Sequence, residues 1–569
     1  MNIKNKAAWK VLLISILLLL PFLGMANFYS KGEPREAVVA YTMLEHGNWI
    51  LPINNGGDIP YKPPFFHWCI ALFSLLQGHV SEFTSRLPSA LALIFMVLGG
   101  FMFFAKRKNT EVAMFTSLLT LTSFEVLRAG YACRVDMVLT ACIVGAMYLL
   151  YIWWERGMRS LPWLAILLMS AGTLTKGPVG IILPCLVTGV FLLMRREKFW
   201  LTAGRMTLIA LLSLVLPLCW YFAAYQQGGD AFLNLVMEEN FGRIMGKMSY
   251  ESHENPFWYN FITLIAGWLP YTLLLLISIF FVSGSRIKSG SSVKSVMTNF
   301  LTTVKKAEPL QLFVWLAFLL VLLFYCIPKS KRSVYLLPCY PFMAYLIAEY
   351  LVWMMKTRWA AIKIYAVIMA VLSLLLTAVL FVVKCGVVPD SIFHGKHAAD
   401  NIAYLHAVEN INLLNIGNIL LVLLPVAAAV YTLYIIYRKV SARTVTLSAV
   451  GCVVALFISL NGVYQPAVLN VKSDKRLAPQ IEQRFDMNHL YSYIDIEMLH
   501  FFCLNFYLGD RIQQFTKVMP QQGVLMIPEG DFEKFKSQYG EGYIFQKVWE
   551  LRRTVDVSEK VLFLRFSKP

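Results

Sequence analysis

Long apolar runs separated by short polar loops make up most of the chain. A helix that spans a bilayer needs about 20 consecutive apolar residues, and about thirteen runs approach that length. The pattern therefore predicts an α-helical polytopic membrane protein with about thirteen transmembrane helices. The proposed spans lie near residues 10–28, 84–105, 110–127, 135–154, 161–175, 177–194, 206–225, 257–283, 310–327, 334–354, 361–383, 415–437 and 444–462.

The charged residues between the spans predict an orientation for the chain. If the N-terminus with its three lysines is cytoplasmic, the alternate loops face the same side, and all of them are basic. These loops begin near residues 106, 155, 195, 285, 356 and 437. Lys and Arg resist translocation, so short basic loops stay in the cytoplasm. We therefore expect a cytoplasmic N-terminus, and the odd number of spans puts the C-terminus on the outer side.

Two segments depart from the pattern of apolar spans. The first outer loop, residues 29–83, is strongly polar, and its residues 35–46 have helical spacing that stops at Gly47, which predicts a helix on the membrane surface. After residue 462 the segments "HLYSYI", "VLMIPEG" and "VLFLRFSKP" predict strands, and "DFEKFKSQYG" predicts a short helix. We expect a transmembrane domain over 1–462 and a small outer α/β domain over 463–569.

Composition narrows the class of protein further. Of the 569 residues, 58% are hydrophobic and only 15% are charged, which is too little charge for a set of soluble domains. The net charge of +18 does not indicate nucleic-acid binding, because the basic residues are scattered among the short loops. The ten cysteines form no CxxC pair, so no disulfide framework is predicted.

Basic residues on the outer side are unexpected in a membrane protein. Any one of them could be an interfacial anchor whose stem lies along the membrane, but together they are typical of a site for an anionic, partly lipidic ligand at the outer leaflet. Phosphate is the partner that suits so many donors. The candidates are Lys62, Arg134, Lys176, Arg243, Lys329, Lys331 and Arg332.

The order of these polar segments resembles a known family. The chain reads "GEPREAVVAYTMLEHGNWILP", "PYKPP", "SRLPSALA", "LTKGPVG", "HENPFWY" and "KSKRSVYLLP" in that order over about residues 20–345. It thereby resembles the polyprenyl-phosphate-dependent glycosyltransferases of the C-type (GT-C) superfamily. The resemblance is nearest to bacterial lipid A aminoarabinose transferases and their relatives of the protein O-mannosyltransferase type.

The resemblance implies roles for particular residues. Arg35 matches the arginine of the first motif, and Lys62 matches the lysine that holds the lipid phosphate. Gly32 stands where the family has its catalytic Asp, so Glu33, counted as the only acid of that motif, becomes the candidate general base, with Asp136 as the next candidate. The candidate phosphate site comprises Lys62, Tyr61, Arg134, Lys176, Arg243, Lys329 and Lys331.

The same resemblance sets the expected cofactors, partners and location. His253 falls where aminoarabinose transferases bind a metal ion, but Tyr61 replaces the acid that would share it, so a zinc ion at His253 is an open question. We expect a monomer in the bacterial inner membrane with its C-terminal domain in the periplasm. It would use a polyprenyl-phosphate sugar donor and a lipid A, glycan or protein acceptor, among membrane lipids and without nucleic acid.

Two other function classes stay open on the sequence alone. A transporter or flippase of lipid-linked saccharides predicts inverted repeats or broken helices with polar residues at mid-membrane, whereas the polar residues here gather at one face. A non-catalytic module for binding saccharides is the other alternative. Release of free polyprenyl phosphate from a labelled donor would distinguish an enzyme from both.

Overall fold

The computed structural model describes residues 3–60, 62–242, 254–281, 308–496 and 498–568. Helices dominate up to residue 484, and a small sheet follows. The helices of the membrane part are α1 Ile3–Leu19, α2 Gly32–His46, α3 Phe65–Gln77, α4 Glu82–Arg107, α5 Thr110–Thr122, α6 Phe124–Gly130, α7 Val135–Glu155, α8 Trp163–Lys176, α9 Val179–Met194, α10 Phe199–Met237, α11 Tyr259–Gly267, α12 Tyr271–Phe280, α13 Pro309–Cys326, α14 Tyr340–Thr357, α15 Trp359–Lys384, α16 Ala398–Glu409, α17 Ile416–Tyr437, α18 Ala442–Ser459 and α19 Gln465–Lys472.

The predicted polytopic helical class is confirmed. Within the described ranges, nine helices are long and apolar enough to cross a membrane, or up to eleven if two sharply bent pairs, α5 with α6 and α11 with α12, each count as one span. Helices α8 and α9 are apolar but shorter, because the chain breaks between them at Gly177, whose φ of +92° suits glycine. The count of thirteen spans stays a prediction.

The first outer loop is more helical than the sequence indicated. The predicted helix is confirmed as α2, which ends where Gly47 adopts the left-handed conformation with φ +68°. Its location on the membrane surface stays a prediction. The aromatic residues after Pro64 begin a further helix, α3, which buries Phe66 and His67. A search for runs of about 20 apolar residues misses a helix of 13 residues.

The C-terminal part folds around a five-stranded sheet in the order β2-β1-β3-β5-β4. Strands β1, β3 and β5 and the helix over Phe532–Tyr539 match the predicted elements, whereas β2 and β4 were not predicted. Strand β4 lies at the edge and exposes most of its side chains, which gives little hydrophobic signal. The strands are β1 Leu490–Ser492, β2 Gln513–Gln514, β3 Gln522–Pro528, β4 Ile544–Leu551 and β5 Val561–Ser567, and the short helices are α20 Ala478–Arg484, α21 Phe502–Tyr507, α22 Phe515–Val518 and α23 Phe532–Tyr539.

The sheet domain packs directly on the first outer loop. The Asp58 carboxylate accepts hydrogen bonds from Lys517 Nζ at 2.6 Å and Gln514 Nε2 at 2.9 Å, and it also contacts His500. Nearby, the Asn55 N–H donates to Asp510 Oδ1 at 2.8 Å. These contacts hold the C-terminal domain over the N-terminal half of the loop, next to helix α2.

Candidate active site

Glu36 is the centre of a buried polar cluster on helix α2. One carboxylate oxygen accepts a hydrogen bond from the Lys62 ammonium, and the other lies 3.0 Å from His67 Nε2. Arg35 also contacts Glu36, at 3.5 Å. The Glu36 side chain is only 4% exposed, so it depends on these partners for the hydrogen bonds that water would otherwise supply.

The electrostatics of the Glu36–Lys62 pair follow from its burial. Burial raises the pKa of the Glu36 carboxyl, but Lys62, His67 and Arg35 outweigh that effect and hold the pKa well below its usual range. Burial lowers the pKa of Lys62 to about 8, although Glu36 acts in the opposite direction. Lys62 is therefore a cation that titrates near physiological pH.

Glu33, the predicted general base, has both carboxylate oxygens occupied. Arg86 donates to them from Nε at 2.8 Å and from Nη2 at 3.0 Å, and the Cys133 N–H donates to Oε1 at 3.0 Å. Both side chains are about 95% buried. A bidentate pair of this kind is a strong, directional contact, and it joins helix α2 to α4 and to the start of α7.

Because Gly32 has no side chain, the guanidinium group of Arg134 can lie directly beside it. A Cβ atom at this position would collide with the guanidinium group of Arg134. The place where the resembled family has a catalytic carboxylate is therefore bordered by a positive group. Any side chain at residue 32 requires Arg134 to move.

The other candidate acid, Asp136, is also paired. Lys176 Nζ lies 2.5 Å from Asp136 Oδ1, and the same ammonium lies 4.3 Å from the ring centroid of Tyr335. The contact joins the start of helix α7 to the end of α8. It brings together beside Lys62 the ends of two predicted spans that the charge pattern predicts to face outward, since Lys62 also interacts electrostatically with Asp136.

Three arginines gather near these pairs. Burial lowers the pKa of Arg332, and repulsion by Arg134 and Arg35 adds to the effect. Among the described residues, neither Arg134 nor Arg332 forms an ion pair. Five cations, Arg35, Lys62, Arg134, Lys176 and Arg332, thus surround two carboxylates, Glu36 and Asp136, and this excess of positive charge favours an anionic ligand.

The remaining predicted bases are placed differently. Lys331 is buried and donates to its own loop, at 2.5 Å to the Pro328 carbonyl, whereas Lys329 is exposed. The structure therefore does not bring these two lysines into the cluster. Tyr61, Arg243 and His253 lie outside the described residues, and their predicted roles stay predictions.

An apolar cavity of about 430 Å³ has Lys62 and Lys176 in its lining. A second pocket of about 30 Å³, the polar pocket, is lined by Lys62 and Glu36 together with residues of the C-terminal domain. In the described part of the chain, Lys62 is the residue common to both linings. The apolar cavity is lined by Lys62, Pro63, Lys176, Pro178, Val179, Ile182, Glu239, Asn240, Phe324, Tyr325, Ile327, Pro328, Ser330 and Tyr335.

The residues around Glu36 do not fit a divalent metal ion. One Glu36 oxygen accepts from a lysine, whose positive charge repels a cation, and the described residues contain no group of three or more His, Cys, Asp or Glu side chains with metal-ligand geometry. The chemistry proposed below therefore involves no metal ion.

Parts of the chain are similar in sequence to known glycosyltransferases. Residues 61–221 match the family model described as dolichyl-phosphate-mannose-protein mannosyltransferase. The undecaprenyl phosphate-alpha-4-amino-4-deoxy-L-arabinose arabinosyl transferases of Shewanella sediminis and Pectobacterium atrosepticum are 26% and 28% identical, over 68% and 61% of this chain and 67% and 59% of theirs. An uncharacterized protein of Aquifex aeolicus is 29% identical over 60% of this chain and 63% of its own. The matches thus span about three fifths to two thirds of these relatives.

The fold comparison covers nearly the whole chain. ArnT from Cupriavidus metallidurans, in a crystal structure with bound undecaprenyl phosphate, superposes with a TM-score of 0.67 at 18% identity, covering 98% of this chain and 97% of that one. The chain is similar to the C-type glycosyltransferases of the aminoarabinose transferase kind. Its GT-C-like fold includes the C-terminal sheet domain, which the sequence resemblance matched only by size and placement.

Sequence reasoning missed three residues of this site. Glu36 directly follows the motif arginine, and counting it would have given the motif a second acid. His67 lay among aromatics, where it gave no separate signal. Arg86 stood in the quoted segment "SRLPSALA", and a basic residue at the outer end of a span was the signal that could have found it.

Proposed function

We propose that the protein is a glycosyltransferase that moves a sugar from a polyprenyl-phosphate donor to an acceptor at the outer face of the membrane. The observation that carries this proposal is the apolar cavity that Lys62 and Lys176 help to line. A polyprenyl chain needs an apolar groove, and its phosphate needs cations at the end of that groove.

The two lysines have a catalytic as well as a binding role in this proposal. When the acceptor oxygen attacks the anomeric carbon, the bond from that carbon to the phosphate oxygen breaks, and the electron pair leaves on the phosphate. Preorganised cations stabilise the developing charge, and this is often the largest single contribution to catalysis. Lys62 and Lys176 lie where the leaving phosphate would be, with Arg35 and Arg332 nearby.

Glu36 is the carboxylate best placed to take the proton of a hydroxyl acceptor. Glu33 and Asp136 are each held by a basic side chain that does not line the polar pocket, whereas the partner of Glu36 is Lys62 itself. A donor phosphate would compete for Lys62 and release a Glu36 oxygen toward the polar pocket. We therefore assign the general base to Glu36 rather than to Glu33. The donor sugar can be a hexose or a pentose, and the acceptor can be lipid A, a glycan or a protein.

The test is a transfer assay with purified protein in lipid vesicles and a panel of labelled polyprenyl-phosphate sugars. We expect release of free polyprenyl phosphate together with labelled acceptor, and loss of both in Lys62→Ala. Lys329→Ala is the matched control, because Lys329 is an exposed lysine outside the cluster. Tight donor binding without any release or transfer across the panel would overturn the enzymatic proposal in favour of a carrier of lipid-linked sugars.

A further inference from the structure

A second large cavity is lined in part by the Glu33–Arg86 pair. Its volume is about 360 Å³, and none of its described lining residues lines the cavity at Lys62. One part of its wall is polar and the other is aromatic and aliphatic. The lining residues are Phe22, Ala26, Tyr29, Ser30, Glu33, Arg86, Phe124, Leu127, Arg128, Tyr131, Ala132, Arg134, Phe457, Asn461, Gln465 and Leu469.

The polar wall of this cavity has an excess of positive charge. Arg86 is neutralised by Glu33, and Arg128 pairs with Glu125 at 2.6 Å while half of its side chain stays exposed. Arg134 forms no ion pair with any residue that the structure describes. An arginine without a carboxylate partner beside a cavity favours an anionic group there.

A buried amide points into the same space. Asn461 is 8% exposed; its side chain interacts with that of Tyr131, but its Nδ2 atom has no hydrogen-bond acceptor within 3.5 Å among the described residues. It lies in the short π-helix Leu460–Tyr464, which follows helix α18. Buried polar groups without partners are rare in proteins, and π-helical turns often occur at functional sites. A ligand with an acceptor oxygen would satisfy this amide.

An apolar groove continues from this cavity toward the middle of the helix bundle. Its volume is about 430 Å³, and it shares Phe124 and Phe457 with the cavity above. Leu375 and Val379 on helix α15 line the groove and are each more than half exposed, so the groove opens sideways. The other lining residues are Leu269, Pro270, Met369, Leu372, Leu376, Val453, Leu456 and Leu460.

Helix α18 shows how the two spaces are arranged along the bundle. Val453 lines the groove and Asn461 lines the cavity, and eight residues of helix correspond to about 12 Å along the axis. The polar cavity therefore lies near the C-terminal end of helix α18, and the apolar groove extends from there along the predicted membrane-spanning part of that helix. This is the shape of an amphiphile with a head and a hydrocarbon chain.

We infer that the cavity and the groove together form a binding site for an anionic membrane lipid; their lining shares no residue with the proposed donor cavity, although Arg134 also belongs to the group of cations near Glu36 and Asp136. The headgroup contacts Arg134, Arg128 and Asn461, and one hydrocarbon chain lies in the groove between helices α15 and α18. The bound headgroup lies beside the Gly32 end of helix α2. The inference does not depend on sugar transfer.

The test uses photoactivatable phosphatidylglycerol and phosphatidylcholine in vesicles with the full-length protein, and crosslinked residues are mapped by mass spectrometry. We expect phosphatidylglycerol to label residues 369–379 and 453–460 in preference to phosphatidylcholine. Arg134→Gln should reduce that labelling about tenfold, as expected for the loss of a charge-assisted contact. Arg128→Gln, at a half-exposed side chain, should reduce it as well even if the first variant folds poorly.

Two controls separate this inference from the proposed function. Arg438→Gln removes an exposed arginine in the loop that precedes helix α18, at the opposite end of that helix from Asn461, and should leave labelling unchanged. Lys62→Ala should abolish sugar transfer and leave lipid labelling intact. Equal labelling by the two lipids, or labelling that polyprenyl phosphate displaces at the concentration that fills the donor cavity, would overturn the inference.

Discussion

Lys62 is a partly buried cation on which the proposed chemistry depends. It contacts Glu36, borders both the apolar cavity and the polar pocket, and has a pKa lowered to about 8 by burial. Its charge therefore changes in the range where the enzyme would work. Arg35 and Arg332, whose guanidinium groups stay protonated, do not change in that range.

The first prediction is that donor affinity depends on the titration of Lys62. Binding to phosphate needs the protonated amine, so affinity should fall as the pH rises through about 8. Lys62→Arg should keep part of the affinity and lose this pH dependence, because an arginine stays charged. Lys62→Ala should weaken binding by about 1.5–3 kcal/mol at neutral pH. Titration calorimetry with a polyprenyl-phosphate donor at pH values from about 6 to about 9, a range that includes the pKa of Lys62, measures the affinity of wild type and of both variants.

The stability consequence of Lys62 has the opposite sign. A lysine whose folded-state pKa is lowered binds fewer protons than in the unfolded chain, where the value is about 10.4. Stability should therefore rise as the pH increases from about 8 toward that value. If the donor affinity falls as the pH rises while the free energy of unfolding does not decrease, the protein has lost phosphate binding and not its fold.

The second prediction distinguishes the two glutamates of helix α2. If the acceptor is a hydroxyl, Glu36→Gln should lower single-turnover transfer about 10²–10⁴-fold at saturating donor, the usual contribution of a general base. Glu33→Gln should mainly reduce stability, because it removes the charge from a bidentate pair with Arg86 that is buried in the protein. Thermal unfolding and transfer are measured on both variants.

Two results would contradict the assignment of Glu36 as the general base. A stable Glu33→Gln protein with slow transfer, beside a Glu36→Gln protein with normal transfer, would return the role of base to Glu33. Near-normal transfer in both variants would favour an acceptor that is already anionic, such as a phosphate, since no proton then has to be removed.

At the scale of elements, helix α2 and the loop after it connect the two domains. Asp58 holds three side chains of the C-terminal domain, from His500, Gln514 and Lys517. Burial raises the pKa of this carboxyl, but His500 and Lys517 outweigh it, so the pKa lies below its usual range. The polar pocket at Glu36 is closed on this side by Met498, His500 and Phe502.

The third prediction concerns this connection. Asp58→Asn should loosen the C-terminal domain at neutral pH and speed amide hydrogen exchange over residues 498–517, at a cost of about 1–3 kcal/mol. A carboxyl with a lowered pKa contributes stability above its unfolded pKa, near 3.9, and loses it as the pH falls through the folded value. The difference between wild type and variant should therefore shrink below about pH 4.

Asp486→Asn is the matched control for the same experiment. Asp486 is an exposed acid of the C-terminal domain. Like Asp58 it pairs with a histidine, His489, which lies 2.8 Å away, but this pair is within the C-terminal domain and does not involve the first outer loop. Equal exchange over residues 498–517 in wild type and Asp58→Asn would mean that the apolar contacts between the domains suffice to hold them together.

At the scale of the whole molecule, the side of the membrane on which each loop lies is still a prediction. The described loops carry the charge pattern of a cytoplasmic N-terminus, and the contacts around Lys62, Asp136 and Lys176 join the ends of helices predicted to face outward. The proposed function requires that face to be the periplasmic one.

The fourth prediction tests that orientation. In a chain whose exposed Cys219 and Cys385 have been changed to Ser, a cysteine at exposed Ser391 should react with a membrane-impermeant thiol reagent in cells with a permeabilised outer membrane. A cysteine at exposed Ser160, in a basic loop, should react only after the inner membrane is broken. The reverse order of labelling would invert the topology and contradict the proposed location of transfer.

The sequence by itself determined the class of the protein and most of its helices. Apolar runs are local, and a helix satisfies its own backbone hydrogen bonds, so each span can be identified without knowing its neighbours. The same holds for helix α2, which Gly47 ends, and for the break at Gly177. Elements shorter than a span, such as α3, or exposed at an edge, such as β4, gave too weak a local signal.

Only the tertiary structure decided which charged residues act together. Glu33 and Glu36 lie three residues apart on one helix, and the sequence pointed only to Glu33, yet Glu33 contacts Arg86 and Glu36 contacts Lys62. Those partners lie 53 and 26 positions away along the chain. Ion pairs between distant residues depend on how the helices pack, because a buried charge is stable only where packing supplies its partner.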